Sequence, residues 1–122
     1  MALKSKDARI KAEKRRLEQI YDGLDSKKKK VASGLIERAA YLKATIEDLE
    51  ADLDENGYVE LFTQSERTAP YERRRPAADL YTATSGIYQK CIKQLTDLLP
   101  RESDTKAEVS DGFDGFVNSR DE

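Results

Sequence analysis

DLDENGYVELFT, residues 52–63, supports two readings, and the choice between them decides the fold. Asp52, Asp54 and Asn56 occupy the first, third and fifth positions of an EF-hand calcium loop, and Gly57 occupies its sharp-turn position. The twelfth position, however, requires a bidentate carboxylate, and Thr63 stands there. A helix end explains the same residues without an ion, because Asn56 and Gly57 tolerate the left-handed backbone that closes a helix. The stretch is therefore read as the end of a long helix stopping near Glu55, and no metal or other cofactor is expected.

Upstream of that end, Val31, Leu35, Ala39, Leu42, Ile46, Leu49 and Leu53 recur at steps of three and four, one apolar seam along a helix that Asp25 or Ser26 can cap. Downstream, Pro76 suits a first helical position, and Ala78, Tyr81, Ser85, Tyr88, Ile92, Leu95 and Leu99 form a second seam that stops before Pro100. Two such seams predict an antiparallel hairpin, with Leu49 and Leu53 beside Ala78 and Tyr81 and Leu35 near Leu99. The connection, residues 57–75, is longer than the two to eight residues a helical hairpin usually requires. Its YVELF segment favours a strand, either added to the edge of a neighbouring subunit or folded back on the hairpin tip. Ahead of the hairpin, Ser5 can cap a helix over residues 5–22 whose stripe of Ile10, Leu17 and Leu24 is narrow.

The expected architecture is all-α and oligomeric: a basic N-terminal helix over 1–24, an antiparallel helical hairpin over 25–100, and a flexible acidic C-terminal tail over 101–122. An oligomer is expected because only 38% of the 122 residues are apolar while 38% are charged, so long helices with one narrow stripe finish their burial against other copies. Cys91 is the only cysteine and cannot form an internal disulfide; with no histidine to activate it, it reads as a small buried hydrophobe. The opening MALKSKDARIKAEKRR has no apolar core of a signal peptide, and no stretch approaches the roughly 18 apolar residues of a membrane span. The expected location is cytoplasmic, with no membrane partner.

Net charge is only −2, but it is segregated. Residues 1–30 carry eleven basic against five acidic side chains, residues 31–60 two against eight, and residues 101–122 three against seven. Lys27, Lys28, Lys29 and Lys30 sit at a helix N-terminus, where the backbone dipole already disfavours cations by about 0.3–1 kcal/mol each. A polyanion offsets that cost, and Lys4, Lys6, Arg9, Lys11, Lys14, Arg15 and Arg16 add to the same basic region, so duplex phosphate is the expected partner. The competing reading is a solvated helix start. Arg73, Arg74 and Arg75 fall instead beside the acidic end of the second helix, and ion pairing is expected to claim them. Tyr81 and Tyr88 read as core rather than a base-stacking platform. In the tail, DGFDGFV places Phe113 and Phe116 among acids, either a segment that docks on a partner or an inert solubiliser. Without histidine or a glycine-rich phosphate loop, an enzyme is not expected.

From Leu49 to Pro100, LEADLDENGYVELF, a polar connection and RRPAADLYTATSGIYQKCIKQLTDLLP together resemble the small subunit of tailed-bacteriophage terminases. The resemblance rests on ENG after a helix, proline and alanine ahead of a tyrosine-bearing helix, and the run YQKCIKQL near its end. It implies a ring of identical subunits that recognises viral DNA in the host cytoplasm, recruits the terminase large subunit and regulates its ATPase and nuclease, without cutting DNA. The basic N-terminal region would meet double-stranded DNA, and the tail would contact the large subunit. Many members carry an N-terminal helix-turn-helix, whereas residues 1–30 read as one basic helix and a lysine run, which favours phosphate contacts over base reading. The alternative is a coiled-coil scaffold or protein-binding adaptor.

Overall fold

A computed structural model describes residues 3–100, which form α1 (Lys6–Ile20), α2 (Ser26–Asn56), β1 (Val59–Phe62), β2 (Tyr71–Arg74) and α3 (Pro76–Leu98). The expected tail at 101–122, with Phe113 and Phe116, lies outside the described residues. Local chemistry sets the helix ends. Ser5 Oγ accepts from the Ala8 N–H at 3.2 Å, Asp25 Oδ1 accepts from the Lys28 N–H at 2.9 Å, and Pro76 opens α3. At the other end of α2 the Gly57 N–H donates to the Leu53 carbonyl at 2.8 Å. Asp52, Asp54 and Asn56 thus belong to the last turns of a helix, and the Asn56 amide donates to Asp52 Oδ1 at 2.6 Å, so the helix-end reading holds.

The α2–α3 hairpin is antiparallel in the expected register. At its tip Leu53 and Ala78 are buried, and the Tyr81 hydroxyl donates to Glu50 Oε2 at 2.9 Å. At the opposite end Leu35, Leu98 and Leu99 pack against a core of Leu17, Tyr21, Leu24, Ala32, Ile36, Ala39, Leu42, Cys91 and Leu95. That core draws on all three helices, because α1 and the turn that follows it fold back along α2 through Leu17, Tyr21 and Leu24.

This packing corrects the expected seams. Val31 is 57% exposed, while Ala32, Ile36, Ala40 and Ala44 are buried at four-residue steps. A helix with a neighbour on each of two sides buries a wider arc than one seam, and alanine lets the second neighbour approach closely. On α3, Thr84 and Cys91 are buried and Tyr88 is only partly so.

The fold is mostly helical, as expected, and the connection adds to it a small two-stranded antiparallel sheet. Val59, Glu60, Leu61 and Phe62 pair with Arg74, Arg73, Glu72 and Tyr71 respectively. YVELF forms the strand its side chains favour, and its partner is the second half of the same connection. One face explains the pairing: Arg73 Nε donates to Glu60 Oε2 at 2.7 Å, its guanidinium lies 3.6 Å over the Phe62 ring, and Phe62 meets Tyr71 edge-on at 5.9 Å. Arg75 then pins the hairpin to α2 through Asp52 at 3.0 Å and the Gly57 carbonyl at 2.7 Å, and Arg74 pairs with Asp79 at 3.2 Å. All three arginines are claimed by acid, as expected, although only Arg75 uses an acid of α2. Among the described residues no helix is long and apolar enough to cross a membrane.

Candidate nucleic-acid interface

The fold divides the eleven expected DNA-binding cations into two groups. Arg9 points at its own chain: Nη1 donates to the Ala44 carbonyl and to Glu47 Oε1, both at 3.0 Å, Nη2 donates to Asp48, and Nε donates to the Lys4 carbonyl at 2.9 Å. Its side chain is 13% exposed. Arg16 is bonded to the buried Glu13, Lys14 reaches Glu37 at 3.4 Å, Lys29 reaches Asp22 at 3.5 Å, and Lys6 lies 4.4 Å over the Tyr41 ring. Among the described residues Lys4, Lys11, Arg15, Lys27, Lys28 and Lys30 have exposed side chains and no carboxylate within ion-pair distance.

Those six remain available, and they form two clusters. Lys11 and Arg15, four apart, share the outward face of α1 opposite the buried Leu17, and Lys4 stands just ahead of its N-cap Ser5. Lys27, Lys28 and Lys30 occupy the first turn of α2, beside the end of α3, since Leu99 packs on the core that Leu24 and Ala32 share. Arg38, absent from the expected set, is exposed and unpaired among the described residues as well. Its signal was present as spacing, eleven residues or three turns beyond Lys27 on one face of α2.

Glu47, Asp48 and Asp52 of α2 are neutralised within the chain, whereas Glu50, Asp54 and Glu55 have no cationic partner among the described residues. Burial alone would raise the Glu47 carboxyl, but hydrogen bonds from Lys43 at 2.9 Å and from Arg9 outweigh it and hold its pKa below the ordinary value. At Asp52 the hydrogen bonds from Asn56 and then Arg75 lower the pKa against weaker desolvation. Both groups bind protons more weakly folded than unfolded. The stability they contribute is therefore present above the ordinary carboxylate pKa and is lost as pH falls through the lower folded values. Thermal melts of the full chain are expected to fall on acidification below the ordinary carboxylate range, and Glu47→Gln combined with Asp52→Asn to make that fall shallower; an unchanged acid limb would remove these pairs from the account.

No family model matches the chain, and comparison with curated proteins and with solved structures finds no match.

Proposed function

We propose that this chain is a non-catalytic viral DNA-packaging protein of the terminase small-subunit kind. In this reading it forms a homo-oligomeric ring in the host cytoplasm, binds double-stranded DNA through phosphate contacts, and recruits or regulates the large ATPase and nuclease subunit, with Phe113 and Phe116 as the recruiting segment. The observation that supports it is the sorting of charge: the acids Glu47, Asp48 and Asp52 are paired internally, whereas Lys27, Lys28 and Lys30 face solvent at one end of α2. Lys4, Lys11 and Arg15 extend the phosphate-facing set, and Arg9 leaves it because its guanidinium is already committed.

The test is salt dependence. Each phosphate neutralised contributes about −0.9 to the slope of log affinity against log salt concentration. Replacing Lys27, Lys28 and Lys30 by alanine is expected to make that slope shallower by roughly 2.7 if each contacts one phosphate. An unchanged slope takes these lysines out of the interface.

The scaffold or adaptor reading has its own support in exposed apolar side chains, with Leu61 73% exposed and Leu80 and Ile87 at 54% and 50%. Native mass measurement with a duplex gel shift separates the two, because a ring that ignores DNA favours the adaptor.

A further inference from the structure

Lys27, Val31, Gly34, Arg38 and Tyr41 follow at steps of four, three, four and three, so they line one outward face of α2 with Lys30 at its flank. The face is both cationic and apolar. Val31 and Tyr41 are 57% and 50% exposed, Lys6 lies over the Tyr41 ring, and Lys27, Lys30 and Arg38 have no carboxylate partner among the described residues. Its one acid, Glu37, is turned to Lys14. Between Arg38 and Tyr41 the surface dips into a shallow depression of about 490 Å³, lined by Gly34, Glu37, Arg38 and Tyr41.

Gly34 is unexplained by the packing of the described residues. It lies inside a helix, where glycine is less favourable than alanine, and an added Cβ there meets nothing within 4 Å. Its lack of a side chain leaves the backbone open along the lining of the depression.

We propose that residues 111–117, DGFDGFV, dock on this face of their own chain, setting Asp111 and Asp114 against Lys27, Lys30 and Arg38 and Phe113 or Phe116 in the Gly34 depression. Two observations select this occupant. The first is chemical fit: the segment carries two acids and two aromatics, and the face offers three cations without carboxylate partners among the described residues, exposed Val31 and Tyr41, and one depression. The second is reach. The chain leaves α3 beside the start of α2, since Leu98 and Leu99 pack on the core containing Leu24 and Ala32. Asp111 stands eleven positions beyond Pro100, a span of chain that extends to about 36 Å. The stretch of α2 from Lys27 to Tyr41 is about 21 Å long.

Docking occupies lysines assigned above to phosphate, so DNA and the tail exclude each other, and this consequence rests on the DNA-binding reading. DNA that displaces the segment also frees Phe113 and Phe116 for the large subunit.

Carbodiimide coupling joins a carboxylate to a lysine amine with loss of water and no spacer, and it reads the contact without DNA. Isotope-labelled and unlabelled full chains, unfolded and refolded together, are coupled and digested. The expected links join Asp111 or Asp114 to Lys27 or Lys30 within one isotope form, and Phe113→Ala with Phe116→Ala reduces them about fivefold, the loss of a small apolar contact. Links spread evenly over Lys90 and Lys93, links between isotope forms, or links indifferent to the phenylalanines each overturn docking in cis. In parallel, the variant with Asp111→Asn, Asp114→Asn, Phe113→Ala and Phe116→Ala is expected to bind duplex DNA about fivefold more tightly than the parent. Equal affinity overturns the competition, whereas failure of both proteins to bind DNA overturns the DNA reading and leaves the coupling pattern to decide the docking.

Discussion

Leu95→Ala is expected to lower the unfolding free energy by about 3 kcal/mol, within the range of about 2–5 kcal/mol for a buried leucine cut back to alanine. Leu95 is completely buried and belongs to the core where Leu17, Tyr21 and Leu24 of the N-terminal region meet Ala32, Ile36 and Cys91. Shortening it removes the apolar contact that joins all three helices, and three rigid helices pinned together collapse poorly onto the void. Urea unfolding at fixed protein concentration measures the loss, concentration being held because assembly would add its own stabilisation. The contrast is Leu80→Ala, at a position 54% exposed, where a change within about 0.5 kcal/mol is expected. Similar losses at the two positions would refute a junction of three helices at Leu95.

Gly57→Ala is expected to cost about 2 kcal/mol, for a reason unrelated to space. Nothing lies within 4 Å of a Cβ built there, but the backbone has φ 86° and ψ 176°. That combination belongs to glycine: a side chain tolerates the left-handed helical region far better than this extended region at positive φ. Asparagine, which visits the left-handed region with ψ near +47°, is therefore not expected to rescue the position. The conformation matters because it swings the chain out of α2 into β1, placing the Gly57 carbonyl 2.7 Å from Arg75 Nη1 and the Tyr58 carbonyl 2.9 Å from the Arg75 N–H. Full stability in Gly57→Asn would show that an ordinary helix cap suffices here.

Asn56 and Gly57 illustrate how far the residues could be read. They announced the end of α2 while Thr63 weakened the calcium alternative, yet the direction in which the chain departs depends on Arg75, eighteen positions beyond Gly57. The β-hairpin was half legible. YVELF carries strand-forming side chains, but its partner YERR reads as a polar, ion-pairing stretch, and only the cross-strand stacking of Arg73 on Phe62 and Phe62 on Tyr71 reveals why it pairs. Val31 was assigned to the core by periodicity and is exposed because the position of α1 rotates the buried arc of α2 toward Ala32 and Ile36.

The sequence by itself determined three helices, their caps and the antiparallel register of α2 and α3, since capping and 3.6-residue periodicity are written in neighbouring residues. Tertiary structure alone decided which cations stay free. Arg9 and Lys11 stand two residues apart in the same basic helix, yet one closes on Glu47 and Asp48 while the other faces solvent. Charge runs do not encode that difference, because an ion pair forms wherever folding brings two groups within a few ångströms, here across 38 and 39 positions of chain.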